Sequence, residues 1–516
     1  MIGGLSKINR YLLACAGAIG MLMAVAPEAS AQASAQDLQA IQAQIEQMQA
    51  TIKSLQRQVQ DAQAQASDAK AAASSGGMSD IDLKVKWKGA PEFSSADGKK
   101  FKFKVRGRLM TDYNGIDQDE PITGEGDISA VELRRARLGV EGVVFYDWKY
   151  KFEIDFAADE VAIKDAYVAY ANWIKSIELS EIRVGNQYVY ASLEELTSSR
   201  FITFMERAAF TDAFLPSVEA DRQIGVGVLL GDEHWSFQTG YYGASVGPAN
   251  DMPGQEDFDT DKTTWVIRGT VAPINREVNG VNQVLHFGGS YRHRDAGTLN
   301  CGSAICDGDN ALYQYQAKGA DLHLADRFVD TPQFSDEDDM WHLEAAFVWG
   351  PFSMQGEYAQ LEANGVRPFD NPAVNPRVDP TYDGWYVDAS LFLTGETRNY
   401  AGDEGIFDRV KVKRPVYNGS GGWGAWQIAG RYDVLDLSDK GAAMRAAYGG
   451  GEYGVQETWL IGLNWLLTDY TAIKLQVSQS KITGGNNGFA QGSLQGFNRN
   501  DGAEITGVGV RAQVDW

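Results

Sequence analysis

Val508-Gly509-Val510-Arg511-Ala512-Gln513-Val514-Asp515-Trp516 closes the chain with an unbroken period-two pattern. Val508, Val510, Ala512, Val514 and Trp516 fall on one face; Gly509, Arg511, Gln513 and Asp515 fall on the other. Successive strand residues point to opposite sides of a sheet, so this strand has one apolar and one polar face. The pattern recurs upstream. Phe101, Phe103, Val105, Gly107 and Leu109 alternate with Lys102, Lys104, Arg106, Arg108 and Met110. Trp148, Tyr150, Phe152, Ile154 and Phe156 alternate with Lys149, Lys151, Glu153 and Asp155.

A soluble sandwich also alternates. Three features favour a membrane barrel. Many strands run to ten residues or more, matching the roughly 9–11 that cross a bilayer at a tilt. Tyr146, Trp148, Tyr241 and Tyr242 sit at strand ends, where interfacial aromatic girdles lie. Trp516, a terminal aromatic on the apolar face, resembles the assembly signal of outer-membrane proteins. Beyond residue 31 no stretch has the length and apolarity of a spanning helix, and only helices and closed barrels satisfy their backbone groups in lipid.

Sixteen candidate strands start near residues 100, 130, 147, 161, 177, 221, 233, 262, 281, 339, 351, 379, 421, 453, 469 and 501. Tyr146-Asp147, Gly231-Asp232, Gly350-Pro351 and Asp469-Tyr470 read as tight turns between long polar loops, the pattern of outer-membrane barrels. The link from Thr394 to Gly422 is an exception, being long where a short periplasmic turn belongs. The expected fold is all-β: a 16-stranded antiparallel transmembrane β-barrel over 100–516, preceded by an N-terminal α-helical coiled coil.

Ahead of the barrel, Lys7 and Arg10 precede an apolar run, Tyr11 to Ala26, and Ala29-Ser30-Ala31 offers small residues for cleavage. That order reads as a signal peptide over 1–31. A lipoprotein reading at Cys15 leaves almost no apolar run after Arg10. Within 32–70, Leu38, Ile41, Ile45, Met48, Ile52, Leu55, Val59, Ala62 and Ala66 step alternately by three and four. This is a heptad seam, read as a periplasmic coiled coil that permits a trimer. The alternative is one amphipathic helix lying on a domain, for which the stripe is narrow. Residues 71–99 are linker and lead-in.

The net charge of −23 argues against nucleic acid as a partner. Acidic residues crowd Asp117 to Glu125, Asp251 to Asp261 and Asp336 to Asp339, in or beside loops. Cys301 and Cys306 read as a loop disulfide in an oxidising compartment; a metal reading lacks further ligands. No metal or other cofactor is expected. An enzyme reading rests on Gly243-Ala244-Ser245-Val246-Gly247, which runs into Pro248 with no helix signal, so it fails as a nucleophile elbow.

Four stretches in order resemble the phosphate-selective porin O/P family over Phe101 to Trp516. They are Leu133-Arg134-Arg135-Ala136-Arg137-Leu138 with Asp147-Trp148-Lys149-Tyr150; Lys164-Asp165-Ala166-Tyr167-Val168-Ala169-Tyr170; Ser192-Leu193-Glu194-Glu195-Leu196-Thr197-Ser198-Ser199-Arg200 continuing to Phe204-Met205-Glu206-Arg207; and Gly424-Ala425-Trp426 with Arg431-Tyr432 and Leu435-Asp436. The resemblance implies a homotrimeric barrel in the outer membrane, among lipid and lipopolysaccharide. Its third long loop, here Gln187 to Asp221, folds into the lumen, and basic residues bind anions such as phosphate. Residue by residue it implies an anion site at Arg134 and Arg135, a loop cation at Arg200 and a pore arginine at Arg207. Glu195 departs from it, standing where the phosphate-specific member has lysine, and is expected to partly neutralise Arg200.

Independently of the resemblance, guanidinium groups suit oxyanions and rings of basic residues make anion-selective pores. Lys102, Lys104, Arg106 and Arg108 read either as an anion path or as structural partners of Glu153, Asp155, Glu181 or Glu206. Strict alternation puts Arg134 opposite Arg135, unless a bulge turns both inward. The rival reading is a general or cation-preferring porin, with Glu194 and Glu195 on its constriction and the coiled coil as a structural tether.

Overall fold

The computed structural model describes residues 83–516 apart from 88, 120–125, 158–160, 217–220, 244–261, 297–312, 366–377, 418, 420, 449–452 and 485–500. Before residue 83 it describes only Lys53 and Arg57, both helical and exposed. The signal peptide, the heptad seam, the Cys301–Cys306 pair and most of the Gly243–Gly247 motif lie outside the described residues. By its contacts the chain divides into two units, Met1–Asp82 and Leu83–Trp516, and the second holds all the strands.

Eighteen strands form one sheet. The first two, β1 (Leu83–Trp87) and β2 (Pro91–Ser95), make a hairpin on the edge of β3 (Phe101–Gln118). The lead-in is thus folded at its end, with Lys102 Nζ 3.4 Å from Glu92. The other sixteen strands close on themselves. They begin with β3, β4 (Ile128–Val144), β5 (Trp148–Asp155), β6 (Ala162–Ala171), β7 (Leu179–Tyr188), β8 (Arg222–Asp232) and β9 (Trp235–Tyr242). Next come β10 (Thr263–Val278) and β11 (Val281–Asp295), then a small loop hairpin, β12 (Gln316–Lys318) and β13 (Arg327–Asp330). The wall resumes with β14 (Ser335–Trp349), β15 (Phe352–Gly365) and β16 (Thr381–Phe392). A second small hairpin follows, β17 (Asn399–Ala401) and β18 (Ile406–Asp408). Finally come β19 (Ala425–Asp436), β20 (Val455–Thr468), β21 (Thr471–Thr483) and β22 (Glu504–Asp515).

Every barrel pairing is antiparallel, and β22 returns to β3 from Ile505↔Gln118 to Asp515↔Arg108. Each of the sixteen expected strand starts lies within four residues of the observed one. Closure joins the first and last strands of the wall, as the apolar phase requires of backbone groups.

Alternation sets which side of the wall each residue meets. Along β22, Arg511, Gln513 and Asp515 are buried, while Val508, Val510 and Val514 are exposed. The outer face is largely apolar: Leu343 is 65% exposed and Trp459 64%. Such a surface belongs in lipid. Trp265, Tyr291 and Trp341 stack in series near the long-loop end, with centroids 4.8 and 4.6 Å apart. Trp148 against Tyr170 and Trp426 against Trp465 mark the short-turn end, the periplasmic end in outer-membrane barrels.

The lumen is not an empty tube. Three segments fold into it: 189–215, 313–334 and part of the long link around Tyr400 and Phe407. Phe210 and Phe214 from the first pack with Tyr315 from the second and with Tyr382 and Tyr386 from β16, so the main hydrophobic core sits inside the barrel. Leu322 lies so close to β22 that a Cβ on Gly507 would be 2.3 Å from its Cδ1. The glycine on that inward face is therefore room for the inserted loop. The link carries Phe407 up to Leu193, Val284, Ala346 and Val348. Part of the exceptional length of Thr394–Gly422, around Tyr400 and Phe407, is thus spent inside the lumen.

Candidate functional site

The loop from Val189 to Asp221 crosses the lumen, and its path follows from a few polar contacts. Ser192, with φ of 69°, turns the chain, and its Oγ accepts from Glu195 N at 3.1 Å. A single helical turn, Leu193–Leu196, follows. Its free amides, Leu193 N and Glu194 N, donate to the Glu357 carboxylate of β15 at 2.9 and 2.8 Å. Glu194 reaches back to Ala208 N at 3.0 Å and pairs with Arg431 of β19. Both ends of the loop's inner turn are thereby tied to the wall.

Arg207 is a staple of this loop. Its Nε donates to Glu194 O at 3.0 Å, and its Nη2 donates to Glu195 O at 2.9 Å and Thr197 O at 3.2 Å. It also holds the Glu195 carboxylate at 3.1 Å. This corrects the expected neighbourhood of Glu195: its cation is Arg207, whereas the carboxylate paired with Arg200 is Asp515, at 3.9 Å. The reason is the helical turn, which points Glu195 back into the loop. Burial pushes the Glu195 carboxyl up to about 7, against the pull of Arg207. Arg200 is drawn down to about 10, by burial first and then by the neighbouring Arg106 guanidinium.

Arg134 and Arg135 come together on one carboxylate. The register of β3 with β4 slips between Met110 and Thr111, which face Arg135 and Leu133, so Arg134 is an extra residue in a bulge. Arg134 grips Glu206 with two bonds of 2.9 Å, and Arg135 Nη2 lies 3.6 Å from the same group. Arg511 adds a third guanidinium at 2.6 Å and also pairs with Asp112. Burial works to raise Glu206, but Arg134, Arg135 and Arg511 together hold it well below the usual carboxylate range.

The four basic residues of β3 divide. Arg106 pairs with Glu141 and lies 3.4 Å from Glu153; Arg108 bonds Ser199 Oγ at 2.6 Å and lies 3.3 Å from Glu153. These two are buried structural partners, as one of the two readings had it. Lys102 and Lys104 stay part-exposed. Alternation on β5 and β7 adds Lys149, Lys151 and Arg183 to the same arc; sequence reasoning does not single them out, although the same period-two argument places them inward. Lys149 pairs with Glu181 yet is 42% exposed, and Lys151 lies 2.7 Å from Asp165. A basic arc along β3–β7 thus lines the inner face of the wall.

Two groups of histidine and carboxylates lie close together among the described residues. In the buried one, His342 is bonded to Glu357 at 2.7 Å, and Glu344 is bonded to Arg268 and His286, so protein partners already occupy those atoms. The other, His293 with Glu337 and Asp339, is on the outer face.

The family described as phosphate-selective porin O and P matches residues 103–516. Porin O of Pseudomonas aeruginosa is 28% identical over 425 residues, covering 78% of this chain and 89% of its own. An uncharacterized protein of Caulobacter vibrioides is 31% identical over 406 residues, covering 76% of this chain and 70% of its own. Among solved structures, the anion-selective porin from Comamonas acidovorans aligns with a TM-score of 0.46 and 14% identity, over 81% of this chain and all of that one. With its closed sixteen-stranded wall, apolar outer face and loop-narrowed lumen, the chain belongs to the phosphate-selective porin O and P family of outer-membrane channels.

Proposed function

We propose that this outer-membrane channel conducts small anions, phosphate and related oxyanions among them, by passive diffusion. The observation that carries the reading is the basic arc of Lys102, Lys104, Lys149, Lys151 and Arg183 on the inner face of the wall, together with Arg200 of the inserted loop. A cationic lumen between low-dielectric walls raises the local anion concentration. The carboxylates on that arc, Glu141, Glu153, Asp165 and Glu181, each lie against an arginine or lysine, which limits their pull on cations. In this reading the channel is a homotrimer set in lipid and lipopolysaccharide. The deciding experiment is the reversal potential of single channels in a potassium chloride gradient. An anion-selective sign supports the proposal; a cation-selective one replaces it with the general-porin reading.

A further inference from the structure

The link 394–424 does more than fill space. Between it and the constriction loop lies an open recess of about 50 Å³. Arg200 and Thr203 line it from the loop, Arg398 and Arg409 from the link, and Lys474 and Gln513 from the wall. Asp469 and Tyr470, also in its lining, belong to a tight turn, so it lies toward the short-turn end. Four cations line it against two carboxylates, Asp469 and Asp515.

Arg398 is the telling residue. It is 4% exposed, and its guanidinium lies 3.5 Å over the Phe407 ring. Nη1 donates to Gln355 Oε1 at 2.7 Å. Among the described residues no ion pair holds it. Asp388, the carboxylate that acts on it most strongly, is bonded to Arg431 at 3.1 Å. A buried guanidinium without a paired anion is costly, so a fold that keeps one beside a cavity invites an anion there. Arg409 and Arg200 share the single carboxylate of Asp515, and both lie over Phe201, at 4.9 and 5.0 Å. Pinning the link to the wall accounts for Arg409, which also bonds Asp469 O. It does not account for the charge on Arg398.

We infer that Arg398, Arg409 and Arg200 form a second small-oxyanion subsite, on the short-turn side of the constriction and built largely by the link. It rests on the anion reading of the channel only for its place on a permeation route. Forked N–H donors from two or three sides suit a phosphate-sized tetrahedral anion, and the recess has room for one.

The test uses full-length protein in detergent, with inorganic phosphate as the probe in titration calorimetry. Arg398→Gln weakens phosphate binding about tenfold, the loss of one charge-assisted contact. Arg398→Lys, which keeps the charge and loses the fork, weakens binding to a smaller degree and decides the matter if the Gln variant fails to fold. Wild-type protein that binds no phosphate, or Arg398 and Arg409 variants that bind it as wild type does, overturn the subsite. A cation-selective channel whose phosphate binding still depends on Arg398 sinks the permeation reading and leaves the subsite standing.

Discussion

Arg134 and Arg135 are neighbours in one strand, yet both guanidinium groups meet the carboxylate of Glu206. A bulge makes this possible, and Glu206 thereby clamps the constriction loop to the wall. Glu206→Gln removes the charge that three arginines share. The expected result is twofold: the reversal potential moves further toward anions, and the folded barrel loses heat resistance. Breaking a buried pair from one side costs about 3–5 kcal/mol. Conductance recordings and heat-modified gel migration read the two effects. An unchanged reversal potential would mean that these arginines do not face the permeating ions.

The family resemblance implies a loop cation at Arg200 and a pore arginine at Arg207, and the structure turns Arg207 into its own loop. Arg207 holds three carbonyls of its own loop, while Arg200 points to the recess beside Asp515. Arg200→Ala is expected to shift selectivity toward zero with a normal fold. Arg207→Ala is expected to give noisy, irregular conductance and easier proteolysis of the loop. Clean single-channel steps from the Arg207 variant would show that the staple is dispensable.

The carboxyl of Glu195, raised to about 7 by burial, is expected to give the channel a pH response near neutrality. Below that value the group takes up a proton and the loop gains one unit of positive charge; above it the charge returns to negative. Anion selectivity should therefore increase as the pH falls from 8 to 6. Glu195→Gln should hold selectivity constant across that window. Equal pH dependence in both proteins would place the titrating group elsewhere.

Most of the barrel is legible in the sequence because alternation is a one-dimensional signal. The polar inner set of β22 can be read from Arg511, Gln513 and Asp515, and strand starts follow from the same rhythm. Features that depend on contacts distant in sequence lie beyond such reading. The Arg134 bulge stays open at that level because its cause, Glu206, comes from another segment. The partner of Glu195 is misplaced because adjacency in the sequence suggests Arg200, whereas a helical turn aims the side chain at Arg207. The length of Thr394–Gly422 is visible, but its insertion rests on Phe407 meeting Leu193 and Val284.

Trp516 lies against Gly107, where a Cβ would sit 2.2 Å from the indole. Their backbones also exchange hydrogen bonds, at 3.0 and 3.2 Å. Gly107→Val is expected to displace the ring and impair assembly in cells as much as Trp516→Ala does. The yield of folded protein in outer-membrane fractions checks this. Normal yield from Gly107→Val would show that the indole has another seat.

That seam joins the first strand of the wall to the last residue of the chain. The last strand of the wall, β22, is made only after the fifteen others, so the cylinder has no closed form before β22 appears. A chain cut short before β22 leaves the β3 edge from Arg108 to Gln118 without its wall partner. Termination errors therefore yield an unsealed sheet, recognisable by its bare edge, rather than a smaller leaky pore.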